Sequence, residues 1–374
     1  MTDASDATPD AAPSPSAPAA TPGPVPVVRS LARRILPKLA VSLVLGGLFA
    51  YLASKGGVPL LPPREAFGHV AWWAVPAYVC LMAVTHFFRA SRWRFLVAPI
   101  KPVPLREVIA LNWIGFFAIY ALPLRLGEFA RPALGKLRLA IPVSAGLGTV
   151  AVERVLDGLV ASLCVAWAIF ALPRRDTGDE LARHVPTYGM LALVVFVLAF
   201  AALAMFLWQR ALATRLTRWG FGLVSQKLGD KIAEKVGSVA DGVRSIGDAR
   251  LAAGFLGETL VYWGTNALGM WVLAMGAGLP MTFGMTVAIM GILAIGILLP
   301  AGPGLFGTFQ LSLSAALKLY FAEELVGTQG AVFIFLLYVI QASFICVVGI
   351  VPLYLMRIRL GTLVGDSGEP RPAA

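Results

Sequence analysis

Leu122-Pro123-Leu124-Arg125-Leu126-Gly127-Glu128-Phe129-Ala130-Arg131, followed further on by Val152-Glu153-Arg154-Val155-Leu156-Asp157, is the stretch whose reading decides the fold. Apolar sequence leads into it and a long hydrophobic run, 141–172, carries its second part. Ionisable groups in such surroundings cost about 2.5–3.5 kcal/mol each at mid-bilayer on insertion scales. Their density here leaves two explanations, a buried polar site or a girdle of charges at the membrane surface.

The rest of the chain fixes the class. Of 374 residues, 58% are hydrophobic and 14% charged, against about 25% charged in soluble domains. The mean hydropathy is +0.78, and several runs reach the roughly 18 residues that a spanning helix needs. The chain therefore reads as an all-α polytopic membrane protein. Its net charge of +11 sits in short loops between apolar runs, which suits membrane topology and anionic headgroups and excludes nucleic acid as a partner. Cys80, Cys164 and Cys346 lie singly in apolar runs, and His69, His86 and His184 are scattered. Three buried structural thiols are expected, with no metal site and no cofactor.

From the opening stretch outward, the topology has about six full spans and two broken or re-entrant segments. Residues 1–27, rich in Pro and Ala, form a disordered tail, as do 360–374, and 28–359 form the membrane domain. Arg29, Arg33, Arg34 and Lys38 precede the first apolar run, 39–54, and place the N-terminus in the cytoplasm. The second span, 68–88, starts near Trp72 and Trp73 and ends at Arg89, Arg92 and Arg94, read as a cytoplasmic cluster. The segment 108–123 has basic residues at both ends and reads as re-entrant. The run 141–172 exceeds one span and divides into an approach helix and a crossing at 155–172. Residues 187–208 cross back, and 209–250 carries eight Lys/Arg against four Asp/Glu. Val224, Leu228, Ile232, Val236, Val239, Val243 and Ile246 make that segment a cytoplasmic amphipathic helix. The second half spans 251–276, enters again over 282–299, breaks at Leu299-Pro300, resumes over 305–320, and crosses last over 331–356. Arg357 and Arg359 put the C-terminus inside.

The two breaks share a pattern, Leu122-Pro123 with Gly127 and Leu299-Pro300 with Gly304. Gly/Pro-interrupted segments in corresponding places of two halves point to the binding site of a transporter built as an inverted repeat. Two unrelated kinks are the alternative.

Candidate site residues follow from spacing. Arg125, Glu128 and Arg131 recur every three residues, so one helix face gathers them, and paired guanidiniums around a carboxylate suit a phosphate. A salt-bridge set at the cytoplasmic rim is the competing reading, strongest for Arg131. Glu153, Arg154 and Asp157 share one helix, either neutralising one another or pairing with Arg125 or Arg131 across the bundle. Glu258, Tyr262 and Asn266 make a polar stripe on one face. Gly304 with Gly302 and Gly307 allows close backbone approach and exposed amides.

Arg125-Leu-Gly-Glu128-x-x-Arg131 and Val152-Glu153-Arg154-x-x-Asp157 together resemble the lysylphosphatidylglycerol synthase transmembrane-region, or flippase-like, family. Pro300-Ala-Gly-Pro-Gly-x-x-Gly307-Thr308-Phe309 is similar to its second motif. The resemblance covers roughly 35–357. It implies a multi-pass protein of the cell inner membrane that handles or moves an anionic or aminoacylated phospholipid between leaflets. The family's second motif continues to an acidic residue where this chain has Gln310. No synthase segment accompanies the membrane domain here, so lipid aminoacylation is not carried over. A membrane enzyme acting on a lipid-linked substrate, or a scaffold for a separate synthase or glycosyltransferase, stays open, as does homo-oligomerisation. No P-loop, dinucleotide fingerprint, HExxH or GxSxG motif argues for catalysis.

Overall fold

The computed structural model describes residues 61–208, 247–299 and 302–358, with scattered helical positions between 37 and 55. The expected tails and most of the 209–250 amphipathic helix lie outside the described residues. Those described are helical throughout their regular structure, with no strand among them. After a 3-10 turn at Arg64–His69 come α1 (Ala74–Ser91), the short α2 (Trp93–Val97) and α3 (Leu105–Ala121). A 3-10 segment, Pro123–Phe129, leads into α4 (Ala130–Leu139), α5 (Val143–Ala171) and α6 (Glu180–Trp208). The second half contains α7 (Ala249–Gly276), α8 (Phe283–Gly296), a 3-10 turn at Pro303–Leu305, α9 (Thr308–Lys318) and α10 (Ala331–Leu355).

Local chemistry sets these limits. Pro104 and Pro142 stand extended immediately before α3 and α5, where a missing N–H is no loss. Asp248 caps α7 by accepting from the amides of Arg250 (2.9 Å) and Leu251 (3.2 Å), and Thr282 caps α8 through the Met285 amide (3.2 Å). Leu122 is driven to φ −93°, ψ 139° by the proline after it, which stops α3. The second break opens beyond α8, and Gly304 (φ 71°), Leu305 (φ 61°) and Gly307 (φ 91°) take the chain through it. The left-handed backbone of Leu305 is strained for a side chain that is not glycine.

Three described helices are long and apolar enough to cross a membrane: Val143–Ala171, Glu180–Met205, and the rod Glu323–Leu355 that contains α10. The run 141–172 departs from expectation. It forms one helix of 29 residues, not an approach helix and a crossing. Glu153, Arg154 and Asp157 stay within it, each paired with a residue of another segment: Arg131, Glu128 and Arg92. The cysteines also differ, since Cys80 is exposed and Cys164 and Cys346 are only half-buried. In an apolar medium an outward-facing thiol costs little, which composition alone does not reveal.

Packing is reciprocal between the halves. The broken helix α3 lies against α10, the broken helix α8 lies against α5, and α1 pairs with α7. Glycines close both cross-half contacts. A Cβ at Gly349 would sit 3.0 Å from the Trp113 carbonyl of α3, and one at Gly291 would sit 2.7 Å from the Ala161 carbonyl of α5. Such close approach is how helices associate where lipid removes the hydrophobic drive. Among the described residues two main apolar clusters form, one around Trp93, Leu111 and Val152 and a larger one around Tyr262, Phe309 and Ala161, with a small third at Ala90, Phe116 and Ile345. Along α5 the seam between the main two passes Asp157; along α7 it passes Thr259.

Candidate functional site

Charge in this bundle is concentrated at that seam. Arg92, only 1% exposed, donates from Nη1 to Asp157 Oδ1 (2.7 Å) and from Nη2 to Oδ2 (2.6 Å), a two-pronged pairing matched to the guanidinium fork. Its Nη1 also reaches Thr259 Oγ1 at 3.1 Å, and Trp263 Nε1 donates to Asp157 Oδ1 at 3.3 Å. The Tyr262 ring lies 4.9 Å from the Arg92 guanidinium, and Phe255 lies 5.3 Å away. Both carboxylate oxygens of Asp157 are thus engaged.

A second buried pair lies one turn back along α5. Arg131 donates to Glu153 and, at 2.6 Å, to Asn112 Oδ1, with the Trp93 ring 5.6 Å from its guanidinium. Arg131 is 5% exposed and Glu153 1%. Arg131 is thus not exposed on the bundle surface but is a buried strut joining α4, α3 and α5. Close approach makes the strut reachable. The 3-10 segment crosses the end of α3 so tightly that a Cβ on Gly127 would overlap the Ala118 carbonyl and the Ile119 amide.

The remaining expected residues divide. Glu258 accepts from Ser91 and Arg94 and lies beside the seam. Tyr262 and Asn266, one and two turns further along α7, line a cavity. Gly304 lies against Tyr338, whose hydroxyl would be 2.9 Å from a Cβ there. Gln310 Oε1 accepts from the Gly307 amide at 2.8 Å, so the amide carbonyl fulfils the capping role open to a carboxylate at that position. Arg125 falls in the 3-10 segment, and its side chain lies outside the description.

The cavity, about 150 Å³, opens between α1, α3, α5, α7, α8, α9 and α10. That is ten times the roughly 10–15 Å³ that one water needs on this measure. Both helix breaks border it, the first through Ile119 and Tyr120, the second through Leu298 and Leu305. Arg89 and Arg154 line it, as do His86 and Asp157. Arg154 has Glu128 at 3.8 Å from its Nε, too far for a hydrogen bond. Arg89 has no hydrogen bond or ion pair among the described residues; it rests on the faces of Phe116 (4.4 Å) and Tyr262 (5.7 Å). His86 is buried with Nδ1 unpartnered.

Arg89, Arg92 and His86 are residues that the sequence reading did not select. Thr85 and Arg89 of α1 and Arg92 at its C-cap recur at helical spacing on one face. That polar face was the available signal, masked by its position at the end of a span, where basic residues ordinarily mark topology.

An all-helical membrane protein with a charged seam and a polar cavity between two broken helices is the class so defined. The chain belongs to the lysylphosphatidylglycerol synthase transmembrane-region family, whose model matches residues 35–358. No curated protein and no solved structure matches it.

Proposed function

We propose that this protein handles a charged phospholipid and moves it between the leaflets of the cell inner membrane, with the headgroup lodged in the cavity between the two helix breaks. Six full crossings, two broken segments related as an inverted repeat, and cytoplasmic termini complete the proposal. Its main support is the cavity itself: Arg89, with no ion pair among the described residues, and Arg154, held only by a loose ion pair to Glu128, face an internal space bordered by both breaks. Broken helices at a central site are the usual design of alternating-access carriers, and the reciprocal packing of α3 on α10 and α8 on α5 suits two related halves. Arg154, Asp157, Tyr262 and Asn266 meet the headgroup. Glu128 stands behind Arg154, and Arg131 with Glu153 braces the wall. Arg125 and Gly304 belong to the two breaks, and Glu258 holds α1 to α7.

The test is translocation of fluorescent phospholipid in vesicles reconstituted with the full chain. Arg154→Gln should abolish protein-dependent movement while the protein remains folded in detergent. Undiminished movement in that variant would reject the cavity as the route.

A further inference from the structure

Building on that reading, we propose that the cavity selects a lipid by its uncompensated anionic phosphate and rejects headgroups bearing ammonium groups. The balance of charge around the space carries this. Two guanidiniums line it, Arg89 and Arg154, against one carboxylate, Asp157. Both oxygens of that carboxylate are already taken by Arg92 in a two-pronged pair. Arg89 has no hydrogen bond or ion pair with any described residue, and Arg154 is held only by a loose 3.8 Å ion pair to Glu128, without a hydrogen bond at its Nε. An anionic phosphate would supply acceptors to both, in the paired geometry that guanidinium groups favour.

A lysyl ester of phosphatidylglycerol presents the opposite problem. It brings one phosphate and two ammonium groups, so its head is net cationic. Those ammonium groups would meet two like charges and no uncommitted carboxylate among the described residues lining the cavity. Like-charge juxtaposition in a low-dielectric space discriminates strongly. His86 and Asn266 are available to the phosphate or its glycerol hydroxyls.

The ligand's tails have an exit as well. Leu298 borders the cavity and is 40% exposed, and Leu299 beside it is 54% exposed. A headgroup can therefore sit inside while acyl chains leave through the apolar edge at the second break. That edge favours a lipid over a free phosphate ester.

Competition against a fluorescent phosphatidylglycerol analogue tests this on the full chain in neutral phosphatidylcholine nanodiscs. Phosphatidylglycerol should bind at least about tenfold more tightly than its lysyl ester. Arg89→Gln and Arg154→Gln should each weaken phosphatidylglycerol binding about tenfold and bring the ratio of the two lipids near unity. Arg89→Lys and Arg154→Lys keep the charge and should keep the preference, which separates charge selection from misfolding. Equal or tighter binding of the lysyl ester overturns the proposal, as does a preference that survives in both glutamine variants. Glycerol phosphate competing as well as the lipid would make the ligand a free phosphate ester and overturn the lipid assignment. Translocation assays separate the two readings. An anionic preference in binding with no translocation rejects the carrier function alone, whereas equal translocation of both lipids rejects charge selection alone.

Discussion

The charged seam and the cavity beside it draw on the same two helices, α1 and α5, yet they use arginine in opposite ways. At the seam, Arg92 and Arg131 are closed in by carboxylates, amides and aromatic rings. Three residues before Arg92, Arg89 faces the cavity resting on the Phe116 and Tyr262 rings; one residue after Glu153, Arg154 faces it too, with a loose 3.8 Å ion pair to Glu128 behind it. The difference teaches that burial of charge in this bundle has two purposes. An arginine locked in hydrogen-bonded ion pairs fixes how helices meet, whereas one facing the cavity is, in the proposal made above, left to receive an anion.

The contrast can be broken most forcefully at the seam. Asp157→Ala leaves the Arg92 guanidinium buried without its carboxylate, a change that costs about 3–5 kcal/mol. Unfolding of the purified protein in mixed micelles should show that loss. Replacing both partners by apolar residues, Arg92→Met with Asp157→Leu, should cost less than Asp157→Ala alone, because no uncompensated charge remains. A double variant at least as unstable as the single one would mean that the pair does more than neutralise itself. Gly127→Ala comes next, at about 1–3 kcal/mol, since its methyl would enter the α3 backbone that holds the Arg131 strut in place. The same unfolding measurement checks it. Smaller again is Gln310→Leu, expected at about 1 kcal/mol for the lost cap on Gly307, with Gln310→Glu close to the parent.

A pair between a loop carboxylate and a buried lysine sharpens the comparison away from the seam. Asp179, in the loop between α5 and α6, accepts from Lys318 Nζ at 2.5 Å and from the Ala182 amide at 2.9 Å. Partial burial raises its carboxyl, but those hydrogen bonds and the lysine charge outweigh that and hold it below the usual carboxylate range. A lowered folded-state pKa means the contribution is present above the unfolded value of about 3.9 and fades as pH falls through the folded one. Asp179→Asn should therefore flatten the acid limb of the stability curve below about pH 4 and leave lipid binding unchanged. An unaltered acid limb would show that the pair contributes nothing.

How much of this was legible depends on where partners lie. The breaks at Leu122-Pro123 and Leu299-Pro300 could be read locally, because proline and glycine act on the backbone where they stand. Arg131 with Glu153 could be anticipated as one of several pairings across the bundle. The choice among them needed the approach of α4 to α5, which the sequence does not state. Arg92 was the harder case. A basic residue at the end of an apolar run ordinarily marks a membrane surface, and only the packing of α1 on α7 turns it inward to Asp157. Gln310 shows the reverse: a departure from the family pattern that looked like a lost function keeps its hydrogen bond to Gly307.

Arg89→Gln tests the central claim most directly when stability and lipid binding are measured on the same preparation. The account predicts an unfolding free energy within about 0.5 kcal/mol of the parent, since no partner is left stranded, together with a roughly tenfold loss of phosphatidylglycerol affinity. A variant that unfolds like Asp157→Ala, or one that binds phosphatidylglycerol as the parent does, would contradict it.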